Sequence, residues 1–187
     1  MRFLYTGADS YLSTQNDPYR SLGGNVSKSI IQNNRMNNLF DDISYLSLEN
    51  GDSETKGIVL ENESSNPVTN VKIGWVYPII KNYRIFVALV ALNSSNQMER
   101  IGNSKEVPYN ADFVEIEDDP VEIGDLEAEA RIGIWITRTP ITDNIEQSNN
   151  CQSLYDQFLI SKGEKMQDDT VVTENENANS LMIAFDN

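Results

Sequence analysis

Histidine is absent from the chain, and cysteine occurs once, at Cys151. Without histidine there is no Ser-His-Asp or Cys-His triad, no His-ligated zinc and no ordinary general base at neutral pH. A lone cysteine closes no disulfide within the chain, so burial and backbone ladders must hold the fold. Basic residues are also scarce: 14 Lys and Arg stand against 29 Asp and Glu, a formal net charge of -15 over 187 residues. Such a surface repels nucleic acid phosphates and anionic bilayers, which argues against nucleic acid as a partner. The longest apolar run, "IFVALVAL" at 85–92, is far short of the roughly 20 residues needed to span a bilayer, so no membrane insertion is expected. The start, "MRFLYTGADSYLS", has one basic residue and few apolar ones before it turns polar, unlike a secretory signal. Gly23-Gly24 is too short to cradle a phosphate and reads as a turn. The sequence therefore assigns no catalytic residue, metal ligand or cofactor, and the chain is expected not to be an enzyme.

What is present is a set of short alternating segments. "NVKIGWVY" places Val71, Ile73, Trp75 and Tyr77 on one face, the period of a half-buried strand. The preceding "KGIVLENESSNPVTN" reads as a strand and a polar turn with Pro67, so that the two strands look like a hairpin. "YRIFVALVAL" at 83–92 is apolar on both faces and suits a strand covered on two sides. "ARIGIWITRT" turns Ile132, Ile134 and Ile136 inward and Arg131, Trp135 and Thr137 outward, and ends at Pro140. "SLMIAFD" alternates again near the end, and "RFLYTG" reads as a short or edge strand. Short strands between Asn, Gly, Ser and Pro clusters predict an all-β fold, an antiparallel β-sandwich of Ig-like or jelly-roll-like kind, in a single domain over 1–187. One segment departs from this period. Cys151, Leu154, Tyr155, Phe158 and Leu159 fall at helical spacing, which predicts one short C-terminal helix over 150–162.

Residues 6–37, with few apolar side chains, are long for a loop in a compact domain. They are expected to form an extended N-terminal arm anchored by Leu39 and Phe40. The acidic stretch Glu115, Glu117, Asp118, Asp119, Glu122, Asp125, Glu127 and Glu129 has no EF-hand pattern, and its default reading is a solvated edge that discourages strand pairing. Trp135 stands opposite the inward isoleucines, where it either meets a partner or is covered by a loop of its own chain. The Asn-x-Ser sequons at Asn25, Asn62 and Asn93 carry little information.

Four blocks carry a resemblance: "NDPYRSLGG" at 16–24, "MNNLFDDIS" at 36–44, "GDSETKGIVLENESSNPVTNVKIGW" at 51–75 and "IGDLEAEARIGIWITRTP" at 123–140. Their order over residues 1–140 resembles a family of small structural proteins of tailed bacteriophages, of crAss-like or podovirus type. The matching positions are Asp17-Pro18, Ser21 to Gly24, Asn37 to Asp42, Gly51-Asp52, Val59 to Asn62 and Trp135 to Thr139. The resemblance implies a virion component, assembled in the host cytoplasm, whose partners are other virion proteins and copies of itself in a ring or lattice. A neck or tail ring or adaptor is the first expectation. The alternatives are a capsid decoration protein or a sandwich that binds carbohydrate or a receptor. The expected interface residues are Ser21, Leu22, Gly23, Gly24, Leu39, Phe40 and Trp135.

Overall fold

The computed structural model of the protein describes residues 1–32, 38–41, 44–75, 83–116, 119–141, 157–162 and 178–186; from 157 onward, and at Tyr45, Leu48 and Trp75, the backbone alone is described. Eleven strands occur in these residues: β1 (Arg2–Ala8), β2 (Gly23–Ile30), β3 (Glu54–Glu61), β4 (Val68–Trp75), β5 (Tyr83–Val90), β6 (Gln97–Arg100), β7 (Val114–Glu115), β8 (Val121–Leu126), β9 (Arg131–Pro140), β10 (Gln157–Lys162) and β11 (Ala178–Asp186). They form a seven-stranded sheet in the order β6-β2-β1-β3-β9-β5-β7 and a four-stranded sheet in the order β10-β11-β4-β8. Every pairing is antiparallel except β10 with β11. The fold is the expected all-β one.

The main core lies between the two sheets. Phe3, Tyr5, Ile58, Leu60, Ile85, Val87, Ile134 and Ile136 from the larger sheet pack with Val68, Val71, Ile73 and Leu126 from the smaller. Alternation along β3, β5 and β9 dictates this, because residues two apart share a face. The opposite face of the larger sheet is also covered. Leu4, Val26, Val59, Ala88, Met98, Ile101 and Trp135 form a second cluster there, closed over by Leu12, Leu22, Ala111 and Phe113 from the connecting segments.

That second core exists because the sheet is curled. β5 and β6 are consecutive in the chain, yet five strand spacings separate them in the sheet order. In a flat sheet that would be about 24 Å. The connection between them is a tight turn, with the Asn93 N–H donating to the Gln97 carbonyl at 2.9 Å and the Asn96 N–H to the Asn93 carbonyl at 2.8 Å. A turn of that kind cannot bridge a flat sheet, so the sheet rolls into a half-barrel whose concave side holds the second core.

Four expectations are corrected. Residues 6–32 are not an arm: β2 sits between β1 and β6 within the sheet. Polar side chains there are internal because they are hydrogen-bonded; the Ser27 hydroxyl donates to the Gln15 carbonyl at 2.7 Å and accepts the Gln15 N–H at 3.0 Å. β1 is an inner strand, not an edge, lying between β2 and β3. β3 and β4 are not a hairpin but a corner that passes from one sheet to the other. Asn62 fixes that corner, donating its side-chain amide to the carbonyls of Asn66, Leu126 and Glu127. Of the expected helix over 150–162, residues 157–162 are strand β10 and 150–156 lie outside the described residues. An apolar run as short as Phe158-Leu159-Ile160 satisfies both periods, and backbone pairing with β11 selects the strand.

A helix does occur elsewhere, α1 (Tyr45–Asn50). Ser44 caps it, its hydroxyl accepting the Ser47 N–H at 3.1 Å, and Gly51 with φ +66° follows its end. Among the described residues no helix is long and apolar enough to cross a membrane. Deleting residues 9–30 removes an internal strand together with part of the second core. The expected outcome is loss of the cooperative urea transition and of the far-ultraviolet β spectrum. A variant that kept both would restore the detachable arm.

Candidate functional site

Five of the seven expected interface residues, Ser21, Gly23, Leu39, Phe40 and Trp135, are buried within the chain, while Leu22 and Gly24 keep partial exposure. Three of them build one feature. Trp135 is 0% exposed, and the benzo edge of its indole lies on β3 at Gly57, where a Cβ would stand 2.8 Å from Cζ3. Gly23 closes the socket: a Cβ there would be 2.8 Å from Cη2 and would overlap the Glu99 carbonyl. With φ at +79° Gly23 also occupies the left-handed region that L side chains avoid. The turn that carries it is tied on both sides. The Gly57 N–H donates to the Ser21 carbonyl at 2.7 Å, the Ile101 N–H to the Leu22 carbonyl at 3.0 Å, and the Gly23 N–H to the Thr6 hydroxyl at 3.1 Å. Of the two readings for Trp135, the structure has it covered by its own chain.

Leu39 and Phe40 belong to the main core, and Phe40 takes part in a charged cluster at its end. Arg138 is 4% and Lys56 2% exposed. Glu54 bridges them, with one carboxylate oxygen 3.0 Å from Lys56 Nζ and the other 3.1 Å from Arg138 Nη2. The Arg138 guanidinium lies 4.9 Å from the Phe40 ring centre and 5.9 Å from that of Tyr83, and Lys56 Nζ lies 5.3 Å from that of Tyr19. Face-on aromatic contact of this kind replaces part of the hydration that the two cations lose.

A second cluster crosses the larger sheet. Arg2, Glu61 and Arg131 are register partners on the adjacent strands β1, β3 and β9. Arg131 Nε donates to Glu61 Oε1 at 2.7 Å, and Arg2 Nε donates to Glu61 Oε2. Burial alone would raise the Glu61 carboxyl, but the hydrogen bonds from Arg2 and Arg131 and their positive charges outweigh it and hold it below the ordinary value.

The acidic stretch is dispersed. Glu115 pairs with Arg84 across β5 and β7, Glu122 with Lys72 at 3.1 Å, and Asp125 accepts the Asn70 N–H at 3.0 Å; residues 117 and 118 lie outside the described residues. Among the described residues no group of three or more Asp, Glu or Cys converges on a metal position. Of the sequons, Asn62 is buried in the inter-sheet corner.

The curl of the sheet leaves a cleft of about 470 Å³ between the end of β5 and β6. Leu89, Val90, Ala91 and Trp135 supply its apolar lining, and Asn93, Gln97, Glu99 and Asn110 its polar one. Sequence reading missed it, because its polar residues belong to a turn, a strand and a loop with no common spacing. Comparison with protein families, with curated proteins and with solved structures finds no match for the chain.

Two outcomes follow. Trp135→Ala is expected to cost about 3–5 kcal/mol through the cavity it leaves, and Gly57→Ala about 1–3 kcal/mol through overpacking, both read from urea midpoints. Glu61, with a folded-state pKa below its unfolded one, contributes stability that is complete above the ordinary carboxyl range and is lost as pH falls through the lower folded value. Urea midpoints measured across that acid range should therefore fall less steeply in Glu61→Gln than in the parent. Parallel curves would remove Glu61 as a source of acid lability.

Proposed function

We propose that the chain is a non-catalytic structural subunit of a tailed-bacteriophage virion, a neck or tail ring or adaptor that acts through contacts with copies of itself and with other virion proteins. Two kinds of support bear on this reading. The first is the resemblance of the four sequence blocks, whose residues meet in space: Gly23 and Gly57 enclose Trp135, and Phe40 lies on Arg138 beside Glu54. The blocks thus describe one packed unit rather than scattered similarity.

The observation that carries the reading is a surface feature. Val107, Tyr109 and Val114 are 60%, 91% and 53% exposed, and all three lie in the connection that leads into β7 and in β7 itself. β7 stands at the end of the seven-stranded sheet. Exposed aromatic and branched side chains beside a terminal strand are suited to burial against another subunit, through side-chain packing and strand addition. The rest of the surface is rich in carboxylates, which keeps unassembled subunits apart until a specific contact forms.

Native mass spectrometry of the purified protein, alone and with virion extract, is expected to show a closed ring or a complex with a particle component. Tyr109→Asp combined with Val114→Asp should abolish that assembly while leaving the thermal midpoint unchanged. A trimer or single copy on the capsid shell would assign the chain to decoration of the capsid instead. A strict monomer with no particle association would sink the proposal.

A further inference from the structure

We infer that the cleft between β5 and β6 is a binding site for a neutral saccharide unit. The observation that points to a ligand is the indole N–H of Trp135. Its nitrogen is buried and has no hydrogen-bond partner, a state that ordinarily costs on the order of 1–3 kcal/mol. The benzo edge of the ring faces Gly57 on β3. The pyrrole edge, with Nε1, therefore lies on the opposite side of β9, where β5 runs and where the cleft opens.

The remaining polar groups of the cleft are matched to hydroxyls. Asn93 Oδ1 is occupied by the N–H groups of Ser95 and Gln97, which leaves its amide NH₂ to donate. Gln97 spends its NH₂ on Asn25 at 2.6 Å, which leaves its carbonyl to accept. Glu99 takes the backbone N–H of Tyr109 at 3.1 Å and that of Asn110 at 3.4 Å, one on each carboxylate oxygen, so it is held in place with lone pairs to spare. Donors and acceptors thus alternate around an apolar floor that includes Val90 and the indole. A sugar ring presents the complement: hydroxyls that both donate and accept, and C–H faces that pack on apolar surface.

Charge narrows the class further. Glu99 and the net charge of -15 oppose an anion. A cation would find a single carboxylate, already engaged by two N–H groups, among amide and indole donors. The volume falls within the roughly 300–1,000 Å³ range of small-molecule sites, and the mouth of a curled sheet is a common place for one.

The test is a titration of the folded protein followed by the indole N–H signals in ¹H–¹⁵N spectra, with the Trp135 signal assigned as the one that survives in Trp75→Phe. The probes are glucose, galactose, mannose and N-acetylglucosamine, with their disaccharides, up to tens of millimolar. The expected result is that at least one neutral sugar moves the Trp135 signal and leaves that of Trp75 in place. Asn110→Ala and Gln97→Ala, both off the packed cores, should weaken that binding about tenfold or more, in keeping with truncation of a central polar contact, at unchanged thermal midpoint. No movement of the Trp135 signal with any neutral sugar overturns the inference, and so does stronger binding of sialic acid than of its uncharged counterparts. The measurement uses the isolated protein, so its outcome is independent of whether the chain assembles into a particle.

Discussion

The position of one indole organises the larger sheet. Trp135 projects from β9 onto the concave face, over Gly57 on one neighbouring strand and opposite Ala88 on the other. A side chain of that size needs two absences around it, one in the sheet beneath and one in the covering turn, and Gly57 and Gly23 supply them. Because the covering turn is also hydrogen-bonded to β3 and to Ile101, burial of the indole and placement of the N-terminal segment are one event. β6 then reaches the sheet by pairing with Gly23, Gly24 and Asn25, so the closure of the half-barrel depends on the same contact.

Electrostatics are handled differently on the two faces. An acidic chain has few cations to deploy, yet Lys56, Arg138, Arg2 and Arg131 are spent on two clusters that each share one glutamate. Stripping either glutamate would leave two cations poorly solvated, which is the costly way to break such a group. In the Glu61 cluster the three residues stand on three adjacent strands, so the ion pairs tie β1, β3 and β9 together at one end of the sheet. In the Glu54 cluster the aromatic rings of Tyr19, Phe40 and Tyr83 do part of the solvating. This is why the polar segment around Leu39 and Phe40 is drawn into the core at all.

How much of this was legible depended on how each residue is buried. β5 and β9 could be read from alternation, because apolar side chains line their inner faces. β2 could not, since in "GGNVSKSI" only Val26 is an apolar residue that becomes fully buried, and Ser27 enters the interior by hydrogen bonding. The sheet-to-sheet corner at Asn62 was hidden for a related reason: a polar turn between two strands looks the same whether the strands pair or part. The helix α1 carried ordinary signals in Ser44 and Gly51, but six residues are too few to outweigh a strand-rich context. For the cleft no local pattern existed to be read, because curvature of the whole sheet creates it. The seven interface expectations chose chemically unusual residues, and what made most of them unusual was the demand of packing.

β9 enters the larger sheet between β3 and β5, although both precede it in the chain by many residues. During synthesis, then, β3 and β5 are made and must wait with one edge each unpaired until residue 140 or so has emerged. The intermediate is a split sheet with two facing rows of open backbone groups and an empty place for the indole. Contacts so distant in sequence form slowly, and open edges of that kind invite pairing with another copy of the same chain. The strand that completes the fold is thus also the one whose late arrival sets the window in which nascent chains can exchange strands. Crowding many copies together before each has closed would widen the consequences of that delay.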